Sequence, residues 1–223
     1  MIMRYASVKK RYISPSLLAA DKTRLAEEIA LLKTSKAKYV HIDIMDGKFV
    51  PATTFSMDEV ACIMENSKGL VRDVHIMVEK PWIEGPKFAS MGASIVTFHL
   101  EACPTKESVV KTIKNIRKAG SRVGISIKPA TPVESVLPYL DLVDMVLIMT
   151  VEPGKGGQSF MPECATKIAY LNKIMNRKFL IECDGGIKDT TVQVVKDAGC
   201  NVIVAGSYLF GHDDFVDRVE KLL

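Results

Sequence analysis

Short apolar, β-branched segments alternate along this chain with longer segments in which apolar residues recur at helical spacing. The short segments predict eight β-strands, at residues 12–16, 39–44, 71–77, 94–99, 122–127, 145–150, 179–184 and 201–205. The longer segments predict helices at residues 21–33, 57–67, 82–91, 105–118, 133–139, 162–175, 190–198 and 210–222. Eight strand–helix pairs in 223 residues are typical of an α/β protein with a parallel sheet.

Two arrangements of parallel strands fit this alternation: a (β/α)8 TIM barrel and an open, doubly wound sheet. The count of eight units favours the barrel. So does the placement of polar residues at or just past the ends of several strands instead of at one switch point. These residues are Ser16, His41, Asp43, His75, His99, Asp184 and Ser207. We therefore expect a single barrel domain over residues 1–223, in which residues 1–11 form a short N-terminal lead-in.

Composition narrows the classes of partner and compartment. Thirty basic and 26 acidic residues give a net charge of +4, which predicts a mixed, solvated surface. The chain has no basic block with interleaved aromatic residues, so nucleic-acid binding is not predicted. Its apolar runs are all shorter than the roughly 20 residues that span a bilayer. Five cysteines without a CxxC pair predict free thiols in a reducing compartment. We expect a cytoplasmic protein without nucleic-acid or membrane partners.

The segment that contains His41 and Asp43 carries the first sign of chemistry. Side chains two residues apart share one face of a strand, so this imidazole and this carboxylate point the same way. Such a pair is half of a metal site, although it is equally typical of satisfied polar groups in a core. His75 ends the third predicted strand and Asp184 ends the seventh. In a closed barrel, these residues can meet His41 and Asp43 above the lumen.

Two imidazoles and two carboxylates form a mixed set of nitrogen and oxygen ligands. Such a set suits one divalent metal ion (Zn, Fe, Mn or Co) rather than an all-oxygen calcium or magnesium cage. Met45, Met77 and Met149 are candidates for an apolar wall beside that ion, although a methionine taken alone more often serves ordinary core packing.

Glycine-rich segments follow the last three predicted strands. They are residues 154–157, the Gly185–Gly186 pair and the Gly206–Ser207 pair, the last of which we place just before a helix. Glycines let backbone N–H groups approach an anion closely, and a helix N-terminus adds a favourable dipole. Barrels often bind phosphate after strands seven and eight. Turns also use glycine freely, but three clusters at successive strand ends predict a phosphate site.

Eight segments, spread over nearly the whole chain, together resemble one known family. They are ISPSLLAAD (13–21), HIDIMDG (41–47), FVP (49–51), DVHIMV (73–78), KPATP (128–132), MTVEPGKGGQSF (149–160), DGG (184–186) and VAGS (204–207). Their combination is similar to that of the ribulose-phosphate 3-epimerases. The resemblance implies a (β/α)8 fold and an isomerase that interconverts D-ribulose 5-phosphate and D-xylulose 5-phosphate in the pentose phosphate pathway.

The resemblance also implies roles for individual residues. Asp43 and Asp184 would form the acid/base pair that moves a proton at C3 through a metal-stabilised enediolate. The implied metal ligands are His41, Asp43, His75 and Asp184. The implied substrate-binding residues are Ser16, His75, Gly154, Gly156, Gly157, Gly185, Gly186, Gly206 and Ser207. Members of the family are commonly dimers or hexamers, so we expect a homo-oligomer.

Three other functions stay open at this point. The same chemistry could act on a six-carbon substrate such as D-allulose 6-phosphate. A decarboxylase relative would carry an Asp-x-Lys-x-x-Asp motif, but Met45 stands where that motif has lysine. A non-catalytic phosphate-binding barrel is the third alternative.

The chain departs from the family pattern at three positions. Lys155 replaces an aromatic residue, Ala52 an asparagine, and Lys48 the commoner histidine. Lys155 either reaches a substrate phosphate or is solvated. His99 either supports a neighbouring residue or contacts substrate.

Overall fold

Eight parallel strands form the inner wall of a barrel in the computed structural model, which describes residues 10–174 and 177–223. The strands are β1 (Tyr12–Pro15), β2 (Tyr39–Met45), β3 (Val71–Met77), β4 (Ile95–His99), β5 (Arg122–Ile127), β6 (Met145–Met149), β7 (Leu180–Asp184) and β8 (Val202–Ala205). Strands β2 to β8 pair in chain order, and β1 pairs with β8. A bridge between Ser16 and His41 joins β1 to β2. The predicted (β/α)8 barrel is therefore confirmed.

Helices cover the outside of the strands. The α-helices are α1 (Leu25–Thr34), α2 (Met57–Asn66), α3 (Pro81–Ser90), α4 (Lys106–Lys118), α5 (Ala165–Asn172), α6 (Val192–Ala198) and α7 (Phe215–Leu222). No helix in the described part of the chain is long and apolar enough to cross a membrane. Residues 1–9 of the predicted lead-in and residue 175 of the predicted sixth helix lie outside the described residues.

The fifth and the eighth predicted helices differ most from those observed. The segment Val133–Tyr139 is a 3-10 helix, because it contains Pro138, whose ring removes a backbone donor and disfavours an α-helical turn. The last helix begins at Phe215 instead of residue 210. Gly211 has a φ of +78°, which no right-handed helix accommodates.

Alternation along the strands separates the core from the lumen. On β2, Val40, Ile42 and Ile44 are buried in the apolar layer between the sheet and the helices. The intervening side chains point into the barrel. From bottom to mouth, the layers of β2 and β3 are Tyr39 with Val71, His41 with Asp73, Asp43 with His75, and Met45 with Met77. The lumen therefore carries a polar centre between apolar layers.

Candidate active site

The polar centre brings together His41, Asp43, His75 and Asp184, whose ligand atoms all lie within 4.8 Å of one another. His41 Nε2 is 3.3 Å from Asp43 Oδ1 and 3.9 Å from Asp184 Oδ2. His75 Nδ1 is 3.2 Å from Asp43 Oδ1 and 3.9 Å from Asp184 Oδ2. The structure therefore brings together the four residues that the sequence predicts as metal ligands.

These four residues fit a divalent metal ion. Ligand atoms about 2.1 Å from an ion lie roughly 3–4 Å from each other, which matches the spacing of this cluster. His41 Nε2 is buried and has no hydrogen-bond partner among the described residues, so its lone pair is available to an ion. Two nitrogens and two carboxylate oxygens suit zinc and its first-row neighbours. The buried cluster can bind a metal.

His41 lies deeper in the barrel than the sequence predicts. His41 is the third of the seven residues of β2, so it lies below the carboxyl end of the strand, where we expected it with the other polar residues. Its Nδ1 is 2.7 Å from Asp73 Oδ2, on the adjacent strand. When Nδ1 carries the proton and donates it in a hydrogen bond to Asp73, Nε2 keeps a lone pair that faces the cluster. Asp73 stands in the DVHIMV segment, but no sequence pattern predicts this role for it.

Glu182 lies below the cluster on β7, and its place beside His41 was not predicted from the sequence either. Its Oε1 is 3.8 Å from His41 Nδ1, and the side chain is fully buried. Burial, together with the negative charge of Asp73, raises the pKa of Glu182 well above its usual range. The β-strand pattern was a usable signal, because Glu182 and Asp184 share one face of β7.

The two carboxyl groups of the cluster differ in proton affinity. Burial favours the neutral form of Asp43, but the facing histidines outweigh it and lower the pKa of Asp43. Burial, followed by the negative charge of Asp43, raises the pKa of Asp184 to about 6. Ser16 Oγ donates a hydrogen bond to Asp43 Oδ2 at 2.7 Å and so holds the second oxygen of Asp43. Asp43 therefore favours its ionised form, whereas Asp184 holds a proton more readily than an ordinary aspartate does.

A pocket of about 370 Å³ adjoins the cluster, a volume that suits a small-molecule ligand. Asp43 and Asp184 line it. Of the predicted substrate-binding residues, His75 is absent from the lining. Those that line the pocket are Ser16, Gly154, Gly156, Gly157, Gly185, Gly186, Gly206 and Ser207. Met45, Met77 and Met149 also line the pocket, as an apolar wall would.

The glycine clusters surround the same pocket, with one correction to the sequence-based prediction. Gly206 and Ser207 do not directly precede a helix, because Leu209 N and Phe210 N bond to Gly206 O in a turn and α7 begins at Phe215. A helix dipole therefore does not act at this position. What this turn can offer to an anion is its backbone N–H groups.

Replacing Gly186 with Ala tests how tightly the glycine loops are packed. Both Gly186 and Gly157 have left-handed φ values, +68° and +72°, so alanine strains each backbone by about 1–2 kcal/mol. A Cβ on Gly186 would also lie 2.7 Å from Cα of Phe160, whereas a Cβ on Gly157 meets nothing within 4 Å. We expect Gly186→Ala to lower the free energy of unfolding by about 1–3 kcal/mol more than Gly157→Ala.

Urea unfolding of the two variants, with the unaltered protein alongside, measures that difference. Equal losses of stability would contradict the close packing of Gly186 against Phe160.

Structural similarity shows the fold, because the similar structures share little sequence with this chain. One is 3-hexulose-6-phosphate synthase from Salmonella typhimurium, with a TM-score of 0.65 and 18% identity over 95% of this chain and 96% of that chain. Another is 3-keto-L-gulonate-6-phosphate decarboxylase from Vibrio cholerae, with a TM-score of 0.67 and 12% identity over 96% of this chain and 95% of that chain.

Sequence similarity is far more specific. The family model of the ribulose-phosphate 3-epimerases matches residues 12–210. Ribulose-phosphate 3-epimerase from Mycobacterium tuberculosis is 41% identical over 216 residues, which cover 94% of this chain and 90% of that protein. The enzyme of that name from Bacillus subtilis is 39% identical over 214 residues, covering 94% of this chain and 97% of that protein. The chain therefore belongs to the ribulose-phosphate 3-epimerase family.

Proposed function

We propose that this protein interconverts D-ribulose 5-phosphate and D-xylulose 5-phosphate by inverting C3. The observation that carries the proposal is the pair of carboxyl groups, Asp43 and Asp184, that line one pocket beside two histidines. The names of the sequence relatives support the substrate. A homo-oligomeric state and a cytoplasmic location stay predictions.

Inversion at a carbon next to a carbonyl needs a proton removed from one face and another returned to the opposite face. In one direction of the reaction, the ionised carboxylate of Asp43 accepts the proton and Asp184 donates its own. The roles exchange in the other direction. Ser16 supports this assignment because its hydroxyl holds Asp43 Oδ2 and leaves Oδ1 toward the histidines.

The metal ligands in this proposal are His41, Asp43, His75 and Asp184. When bound, a divalent ion supplies positive charge that offsets the negative charge developing on the substrate's oxygens. Asp73 keeps His41 oriented toward the cluster through the 2.7 Å contact with its Nδ1. The three methionines of the pocket exclude water from the reacting carbon.

The glycine segments after β6, β7 and β8 are proposed to hold the substrate phosphate through backbone N–H groups. Lys155 lines the same pocket, where it is the basic side chain among the described lining residues. Its ammonium group adds positive charge at the phosphate end. This placement favours a phosphate contact over a purely solvated role for Lys155.

Comparing turnover on five- and six-carbon ketose phosphates tests the substrate. We expect kcat/KM for D-ribulose 5-phosphate to exceed that for D-allulose 6-phosphate, as measured by NMR of both reaction mixtures with metal added. A higher kcat/KM for the six-carbon substrate would replace the proposed substrate and keep the chemistry. Absence of turnover on both substrates, with bound metal verified by elemental analysis, would favour a non-catalytic barrel.

A further inference from the structure

His75 makes a second contact on the side of its ring that faces away from Asp43. Its Nε2 is 2.9 Å from Nε2 of His99, on the adjacent strand β4. Nδ1 of His99 is in turn 3.2 Å from Oε2 of Glu101. Both histidines are fully buried. Three side chains thus form a continuous polar chain from the metal cluster to the segment after β4.

Glu101 is itself held by donors only. Its Oε1 accepts a hydrogen bond from the backbone N–H of Lys128 at 2.7 Å and another from the hydroxyl of Thr131. The loop that carries these donors is fixed from α5, where Nζ of Lys167 donates to the carbonyl oxygens of Pro129 and Thr131, both at 2.6 Å. Glu101, the outer end of this polar chain of side chains, is therefore anchored, and its carboxylate can only accept hydrogen bonds.

This anchoring determines where each proton of the chain lies. Because Glu101 accepts, Nδ1 of His99 carries the proton that is donated to it, and Nε2 of His99 keeps a lone pair. Nε2 of His75 must then carry the proton of the 2.9 Å contact. A neutral imidazole has one N–H, so Nδ1 of His75, which faces Asp43 at 3.2 Å, keeps its lone pair toward the cluster.

We propose that His99 and Glu101 are positioning residues that hold His75 in the tautomer and ring orientation required of a metal ligand. The proposal rests on the metal site of the proposed function. Neither residue lines the pocket, so neither contacts substrate in this arrangement. Outer partners of this kind typically contribute about 10- to 100-fold to metal affinity. His41, by contrast, is oriented by one direct contact with Asp73.

Two substitutions of His99 separate positioning from packing. The His99 ring packs on Phe49, with 4.9 Å between ring centroids. His99→Phe keeps an aromatic ring at this position but removes the acceptor for Nε2 of His75. His99→Gln loses the ring but offers an oxygen to His75 and an amide donor to Glu101. If His99 serves only packing, the Phe variant should resemble the unaltered protein and the Gln variant should be impaired. The positioning role predicts the reverse order.

The deciding measurement is the affinity of the full-length protein for Co²⁺. The protein is freed of metal beforehand, and Co²⁺ is then titrated into it in the presence of a competing chelator. The visible spectrum of bound Co²⁺ reports its coordination, and thermal unfolding in the absence of metal checks the fold. We expect the dissociation constant to rise about 10- to 100-fold in His99→Phe, with an altered spectrum. His99→Gln should stay within about threefold of the unaltered protein, by the same reasoning.

Glu101→Gln provides a second test without any change in the His99 ring. Its amide can donate toward Nδ1 of His99, which would reverse the proton order of the chain, so we expect weaker Co²⁺ binding here too. Unchanged Co²⁺ affinity in His99→Phe would overturn the positioning role. So would a Co²⁺ affinity of His99→Gln as low as that of His99→Phe. Failure of the unaltered protein to bind Co²⁺ would instead overturn the metal site itself.

Discussion

Asp184→Asn is expected to lower kcat for epimerisation by about 10²–10⁴-fold, the range for loss of a positioned acid or base. Asparagine keeps the shape of the side chain but cannot carry the proton that must be returned to the substrate. Asp43→Asn should cause a loss of the same order, because it removes the group that accepts the proton. NMR of D-ribulose 5-phosphate turnover measures both effects.

A matched control and a metal measurement make this result specific. Asp213→Asn makes the same change of charge at an exposed position and should leave turnover unchanged. Because Asp43 and Asp184 are also proposed metal ligands, the metal content of each variant must be restored before its kcat is compared. Near-normal epimerisation by either variant would contradict the two-aspartate assignment.

Removal of metal should abolish epimerisation and destabilise the protein. The carboxyl groups of the buried Asp43 and the partly buried Asp184 are close, and the charge of Asp43 contributes to the raised pKa of Asp184. Without a positive ion, this repulsion opposes folding. Binding of an ion to the folded state alone stabilises it by about 2.7 kcal/mol when the free ion is at 100 times its dissociation constant. Thermal unfolding with and without added Zn²⁺ or Co²⁺ measures the shift.

Two histidine variants locate this effect. His41→Ala removes a proposed ligand and should lose most of the metal-dependent rise in unfolding temperature. His212→Ala removes an exposed histidine near the carboxyl end and should keep the full rise. The same rise in both variants would show that the ion binds elsewhere. Full activity after chelation, with metal loss verified by elemental analysis, would contradict a role for metal in the reaction.

The sequence predicts the barrel well because its strands carry a strong local signal. Val71–Met77 and Arg122–Ile127 have the bounds predicted from apolar periodicity. Predictions were poorer where a single residue interrupts a regular pattern. Pro138 converts one predicted helix into a 3-10 helix, and Gly211 delays the start of α7. Five free cysteines also match the prediction.

The site was only partly predictable, because periodicity gives the face of a strand but not the partner across the lumen. His41 and Asp43 were expected to share a face, and they do. The pairing of His41 with Asp73 depends on the register between β2 and β3, which no local pattern specifies. The same holds for the contact between His75 and His99, which joins β3 to β4.

Epimerisation of D-ribulose 5-phosphate in D₂O by the metal-loaded protein tests the central claim most directly. If one aspartate removes the C3 proton and the other returns a proton from its own exchangeable carboxyl group, xylulose 5-phosphate should carry deuterium at C3 from the first turnover. NMR measures that incorporation. Product that retains the original hydrogen at C3 would contradict proton transfer by two carboxyl groups.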